Sequence, residues 1–376
     1  MGKRLLLIGL SLFVSAAFSE LLLRLSWSNP YRHEMAERMA LVRMHHGLRQ
    51  LPVDRHNVTP ESPKALLRTD ERSYILPSRR FEKPDKTIAF LGGSTTECAA
   101  LDEGQRFPAL VSELLEARGL RVNALNAGVS GNTTQDALNI LLNHLNQDSP
   151  DVAVLMEAAN DVGVLLGDGS YRSREAEVMT LSSSLRWPVQ LASSHLWLAG
   201  AARAFFTLAS VPPPEKLDPS KAVEPPPAPP AEYVKRLRAF ARLCRAFGIE
   251  PVLMTQPSVS TPSELTPRWV TAKNQKTFND ELRRVAREEN VPLVDLAQHL
   301  ADDVPHWQEP NTVFYDGIHV TAAGSKIYAE YITRRLLETA LSDSRALRDH
   351  DEEAALAAAA QHGPGLGQEA LDRVPR

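Results

Sequence analysis

Short apolar runs alternate with amphipathic stretches through the middle of the chain. Thr87–Leu91, Val122–Leu125, Val152–Met156, Ile249–Thr255 and Val291–Leu296 are short, largely apolar, and bounded by charge or by turn residues. That is the pattern of core strands in a parallel sheet, which are buried on both faces. Between them, apolar residues recur at helical spacing. Phe107–Arg118 carries Phe107, Leu110, Val111, Leu114 and Leu115 on one side, and Thr134–Leu145 carries Ala137, Leu138, Leu141, Leu142 and Leu145. Tyr233–Phe247 shows Leu237, Phe240, Cys244 and Phe247 on one stripe, and Lys273–Glu289 shows Phe278, Leu282, Val285 and Ala286. Gly119 and Gly248 close two of these helices, and Thr321 caps a last one running to about Leu341. Strand and helix alternate five times. The pattern predicts an α/β fold: a three-layer α/β/α sandwich around a five-stranded, flavodoxin-like parallel sheet with right-handed crossovers.

The rhythm breaks at both ends and once inside. Lys3 and Arg4 precede an uncharged run, Leu5–Ser19, followed by Glu20, Leu21–Leu23 and Arg24. Residues 1–27 read as an uncleaved signal anchor with the rest of the chain facing outward (periplasmic or extracellular). The alternative is a signal peptide cleaved at Ala17-Phe18-Ser19, giving a secreted protein. Residues 28–85 read as a charged stalk or entry segment, with a short amphipathic helix at Glu34–Leu48. His45-His46 there is a surface feature, because adjacent helical positions do not face one site. Between the third strand and the helix at Tyr233 lies an insertion, residues 163–232, with Trp187, Trp197, Phe205 and Phe206 in its first part. That part reads as a lid over the sheet edge, a membrane-surface element or a plain excursion. Pro212–Pro230 is an extended linker. The catalytic domain then spans 86–342, and residues 343–376 form a tail, alanine-rich at Ala354–Ala360 and broken by Gly363-Pro364-Gly365.

Composition narrows the function. A net charge of −4 over 376 residues gives no electrostatic case for nucleic acid. Two cysteines, Cys98 and Cys244, are too few for a disulfide framework or a zinc site. Cys98 lies close to Ser94 but reads as a small packing residue, and nothing supports a Cys98–Cys244 bridge. No metal cluster is visible, and no cofactor is expected.

Candidate chemistry collects after the strands. Gly92-Gly93-Ser94-Thr95 follows the first, Asn126–Thr133 the second, Glu157-Ala158-Ala159-Asn160-Asp161 the third, and Asp316-Gly317-Ile318-His319 the fifth. In a parallel sheet these stretches share the carboxyl edge, where open α/β sheets bind ligands. Ser94 alone reads more readily as a helix cap than as a nucleophile. With a histidine, an aspartate and an asparagine on the same edge, acyl transfer becomes the natural reading. Serine is a poor nucleophile until a base removes its proton, and an imidazole titrates close to neutral pH. Asp316 would hold the tautomer of His319. The backbone N–H groups of Ser94 and Gly131 and the side-chain amide of Asn160 would face the oxyanion.

These four stretches resemble the sequence blocks of the SGNH hydrolase superfamily, the GDSL-type esterases and lipases, over about Thr87 to Leu341. The resemblance implies Ser94 as nucleophile, Gly131 and Asn160 as oxyanion-hole residues, and Asp316 and His319 as acid and base. One departure stands out: the family's Gly-Asp-Ser reads Gly92-Gly93-Ser94 here. The serine also lacks the Gly-x-Ser-x-Gly elbow of α/β-hydrolases. The expected function is a serine esterase acting on short acyl or O-acetyl esters, including those on glycans. Its partners are then a small-molecule or glycan ester and, through the N-terminal segment, a membrane. The alternatives are an O-acyltransferase acting on a cell-envelope polysaccharide, or a non-catalytic carbohydrate-binding or assembly protein on the same scaffold.

Overall fold

Each apolar run becomes a strand of one sheet, in a computed structural model that describes residues 2–26, 50–54, 64–167, 170–171, 192, 195–210, 230–259 and 272–343. Ahead of the sheet, β1 (Gln50–Asp54) pairs antiparallel with β2 (Lys64–Arg68). The sheet itself contains β3 (Lys86–Gly92), β4 (Val122–Gly128), β5 (Val152–Met156), β6 (Glu250–Met254) and β7 (Leu293–Val294). Their order is β4-β3-β5-β6-β7 and every pairing is parallel. Counted within the sheet this is 2-1-3-4-5, the flavodoxin-like order that the alternation predicts. The helices are α1 (Gly2–Ser26), α2 (Phe107–Glu116), α3 (Thr134–Ile140), α4 (Ala159–Gly167), α5 (Trp197–Ser210), α6 (Ala231–Ala246), α7 (Ala272–Glu288), α8 (Leu296–Asp303) and α9 (Ala322–Glu338).

The described residues fall into two compact units, one drawn from 1–43 and 164–228, the other from 44–163 and 229–376. The second unit holds the sheet. Ile88 and Phe90 of β3, with Val152, Val154 and Met156 of β5, pack against α2 and α9. Phe107 meets Phe90 edge-on, with ring centroids 5.7 Å apart, a geometry that adds about 0.5–1.5 kcal/mol to simple burial. Strand alternation sends Ala89, Leu91, Ala153 and Leu155, all buried, to the opposite face, the side of α3, α6 and α7. The rings of Tyr233 of α6 and Phe278 of α7 meet there at a tilt of 45°, with centroids 4.8 Å apart.

Several boundaries differ from the sequence expectation, each for a local reason. The fifth strand, expected over Val291–Leu296, is only two residues long. Pro292 cannot donate to a ladder, and Asp295 caps α8 through Gln298 N–H, so Leu296 is already helical. The helix expected to run from Thr134 to Leu145 changes to a π turn at Leu141–Leu145. The turn's extra residue shifts the helical phase, so Leu142 faces out while Leu141 and Leu145 stay buried. β4 runs three residues past Leu125, pairing Asn126, Ala127 and Gly128 with Phe90, Leu91 and Gly92.

The last part of the expected stalk or entry segment packs against the sheet. Ile75 bridges to Thr69 and to Asn126 of β4, and the fully buried Tyr74 donates its hydroxyl to Asp148 Oδ2 at 2.6 Å. Arg79 reaches Asp148 Oδ1 at 2.7 Å. Charge surrounds the few apolar residues of this segment, which hides their burial in the sequence, and two of those charges, Arg72 and Arg79, pair with Asp148. The amphipathic helix at 34–48, His45-His46, Trp187, the stretch 212–229 and the tail from 344 lie outside the described residues.

The first unit contains α1 and α5. In α1 the window Gly9–Ser26 has a mean hydropathy of 1.4 with none of it buried, so it is long and apolar enough to cross a membrane.

Candidate active site

At the end of β3 the chain turns on Gly93 into a single helical turn, Ser94–Glu97. The N–H groups of Thr96 and Glu97 both donate to Gly93 O at 3.0 Å. Ser94 is therefore the first helical residue, and its hydroxyl lies 2.7 Å from His319 Nε2, outside any capping role. The partner comes from 225 residues downstream. It sits on a tight loop between Phe314 and Val320, which form an antiparallel bridge, with Gly317 at φ +92°.

Asp316 organises that loop. Its Oδ1 accepts from His319 N–H at 2.8 Å and Ile318 N–H at 3.2 Å, and its Oδ2 lies 2.6 Å from His319 Nδ1. A carboxylate only accepts, so Nδ1 carries the proton and Nε2 is free to accept from the Ser94 hydroxyl. Burial pushes the Asp316 carboxyl up, but the His319 hydrogen bond and charge and the two backbone N–H groups outweigh it. The net direction is below the ordinary carboxylate range, so Asp316 stays ionised. The Tyr315 ring stacks on His319 with centroids 5.8 Å apart, which fixes the imidazole plane.

The other two expected residues lie on neighbouring loops. Asn160, in the first turn of α4, donates Nδ2–H to Asn132 O at 2.6 Å. A Cβ placed on Gly93 would come within 2.4 Å of that same Nδ2, so the amide sits directly against the nucleophile turn. Gly131 has φ +76°, a conformation open to glycine at little cost. Its neighbours tie the loop down: Ser130 bonds Glu97, and Asn132 O holds Asn160. Ser94, His319 and Asp316 are thus joined in series, Asn160 abuts Gly93 beside the serine, and Gly131 is held between two anchored neighbours.

Some residues that hold the site together carry no sequence motif. Gln256, just past β6, donates to Thr95 Oγ1 at 2.9 Å and accepts from Ala159 N–H at 2.8 Å, linking the serine turn to the Asn160 helix. The buried Arg106 donates to the carbonyls of Leu76 at 2.5 Å, Leu101 at 3.1 Å and Cys98 at 3.4 Å. Asp161 accepts Thr134 Oγ1–H at 2.5 Å, fixing the loop that carries Gly131 to the Asn160 helix. Position past a strand end was the available signal for Gln256; nothing marked Arg106. Cys98 packs as expected. Burial pushes its thiol up to about 12, and both cysteines are free, so the bridge does not form.

Glu157 follows β5 directly and is fully buried. Neither of its oxygens has a hydrogen-bond partner among the described residues. Burial, with the nearby charges of Asp161 and Asp136, raises its carboxyl well above the ordinary range, so it stays protonated. The unfolded chain ionises above about 4.3, while the folded chain does not. Stability is therefore complete below that pH and is lost as pH rises toward the folded value, by about 1.4 kcal/mol per pH unit. Glu157→Gln is expected to raise Tm at pH 8 relative to the parent, with the gap closing near pH 4. Parallel Tm profiles would count against a protonated Glu157.

A small cavity of about 130 Å³ opens at the serine, lined by Ser94, His319, Tyr315, Ala99, Ala100 and Val53 among others. A parallel α/β sheet with serine, imidazole and carboxylate bonded in series at its carboxyl edge has the layout of a hydrolytic enzyme. The chain belongs to the GDSL-like Lipase/Acylhydrolase family, whose profile matches residues 90–327, within the SGNH superfamily. It is, at the level that family defines, a carboxylic ester hydrolase.

Solved structures are similar to the chain at low identity. An alpha/beta hydrolase enzyme from the metagenome of Lake Arreo, Spain, is 20% identical over 66% of this chain and 94% of its own, with a TM-score of 0.43. The acetyl xylan esterase AlAXEase is 16% identical over 65% and 97%, TM-score 0.43. The lipase/acylhydrolase from Enterococcus faecalis is 20% identical over 67% and 95%, TM-score 0.42. Among curated proteins, none matches the chain.

Proposed function

We propose that this protein is a membrane-anchored serine esterase, with its catalytic domain outside the cytoplasm, that removes short acyl groups through Ser94, His319 and Asp316. The observation that carries the reading is the unbroken series from Ser94 Oγ to His319 Nε2, and from Nδ1 to Asp316. His319 takes the hydroxyl proton as Ser94 Oγ attacks the ester carbon. The carbonyl oxygen, now an oxyanion, is met by the N–H groups of Ser94 and Gly131 and by Asn160 Nδ2. Collapse of the adduct expels the alcohol, which receives the proton from His319. Water, activated by the same imidazole, then releases the acid and restores the serine. The N-terminal span, α1, supports the anchored part of the reading.

Cavity size supports the short acyl group. About 130 Å³ is room for about four water-sized groups, enough for acetyl to butyryl but not a fatty chain. With p-nitrophenyl esters, kcat/KM is expected to fall by roughly 10–100-fold from acetate to octanoate, since a chain longer than the cavity must displace its walls, at about 1–3 kcal/mol. Equal or reversed preference would overturn the short-acyl reading. An O-acetylated oligosaccharide in the same assay, with and without a free glycan acceptor, separates hydrolysis from transfer.

Gly93 offers a second check, because it replaces the family's aspartate. Any side chain there displaces the Asn160 amide. Gly93→Asp is therefore expected to lower kcat by about 10²–10³-fold, the cost of losing one oxyanion donor. A variant as active as the parent would remove Asn160 from the oxyanion site.

A further inference from the structure

The carboxylate of Glu20 lies on a largely apolar helix, and both its oxygens are occupied. Glu20 Oε1 accepts from Trp197 N–H at 3.0 Å and from Arg24 Nε at 2.8 Å, and Oε2 accepts from Leu198 N–H at 2.8 Å. Trp197 and Leu198 begin α5, where N–H groups lack partners within the helix and the helix dipole favours negative charge. Glu20 thus caps a helix 177 residues away in sequence. Arg24 completes the latch, with its guanidinium 4.6 Å from the Trp197 ring centroid and Nη2 bonded to His195 O at 3.0 Å. The more covered positions of α1, Ser19, Glu20 and Leu23, lie on one side, facing this contact.

Beyond these positions, residues 9–26 of α1 are exposed. Leu10, Leu12, Phe13 and Leu22 are all exposed, and at 100° per residue they point in four different directions. α5 is 14 residues long, about 21 Å, too short to cross a hydrocarbon core of about 30 Å. Its sequence holds a single charge, Arg203, and Leu196, Leu198 and Phe205 are exposed. Leu21, Leu22 and Leu25, at the latched end of α1, are exposed as well.

We infer that α5 lies in the outer headgroup region of the bilayer, fixed to the end of the α1 span by Glu20 and Arg24. The inference rests on α1 being a membrane anchor, and it deepens that reading by assigning the insertion a lipid surface as its partner. A helix too short to span, with exposed leucine and phenylalanine and a tryptophan at its interfacial end, fits the headgroup–acyl boundary. The latch also gives the N-terminal helix a structural role after export. Cleavage after Ser19 would leave Glu20 as a free terminal residue, without the helical turns that orient it.

The test uses the full chain in phosphatidylcholine vesicles whose acyl chains are brominated near the headgroup. Tryptophan quenching is expected to fall measurably in Trp197→Phe. Chymotryptic cleavage at Phe205 is expected to quicken by roughly five- to tenfold in Glu20→Ala, which loses the cap, and less in Glu20→Gln, which keeps an acceptor oxygen. An intact N-terminus and full membrane retention with neither change would overturn the inference while leaving the anchor. Quenching lost only when α5 is packed on the catalytic unit or a second copy, shown by a crosslink from Phe205→Cys to either, would also overturn it. A soluble mature chain beginning after Ser19 would instead remove the anchor itself.

Discussion

Replacing Ser94 with alanine is expected to lower kcat/KM for a short-chain ester by about 10⁴–10⁶-fold, the range seen when a serine hydrolase loses its nucleophile. The loss falls on kcat, because the cavity walls and the oxyanion donors remain to bind the ester. Folding is expected to be almost untouched. The Ser94 hydroxyl is only half-buried and its bond to His319 is the one side-chain bond it makes at the site, whereas the turn itself is held by Gly93 O and by Gln256 through Thr95. The check is steady-state kinetics beside a thermal melt. A variant with the parent's activity would remove Ser94 from the chemistry, and a variant with a strongly lowered Tm would make the comparison structural.

The second large effect separates the two partners of the serine. In the proposed mechanism His319 carries the proton in both half-reactions, so His319→Ala is expected to cost nearly as much as Ser94→Ala, about 10⁵–10⁶-fold. Asp316→Asn is expected to cost less, about 10⁴-fold, because the imidazole remains but its tautomer is no longer imposed. The Asp316 carboxylate also accepts two backbone N–H groups of its own loop, so the asparagine variant keeps part of the loop geometry through its amide oxygen. Combining His319→Ala with Ser94→Ala should add almost nothing, since the residues act as one unit. Additive losses would contradict a shared proton path. Equal activity in Asp316→Asn and the parent would remove the aspartate.

Most of the catalytic edge was legible because it depends on local pattern. The run Thr87–Leu91 followed by two glycines could only be a core strand ending in a tight turn, and that placed Ser94. The same logic placed Asn160 past β5 and the Asp316–His319 loop ahead of the helix that Thr321 caps. What escaped depends on contacts between distant segments. Gln256 looks like any polar residue after a strand, yet it ties Thr95 to Ala159. Tyr74 sits among charges, and only the fold shows that Asp148 gathers Arg72, Arg79 and the Tyr74 hydroxyl around itself. Glu20 was read as a charge near the end of a span. Its pairing with α5 joins residue 20 to residue 197, a separation no periodicity reaches.

The most direct test of the account is labelling of the full-length protein by a fluorophosphonate, with Ser94→Ala beside it. The account predicts a single phosphonylated residue, Ser94, in the parent and no label in the variant. A folded parent that takes no label, or equal labelling of the two proteins, would contradict an activated serine at the end of β3.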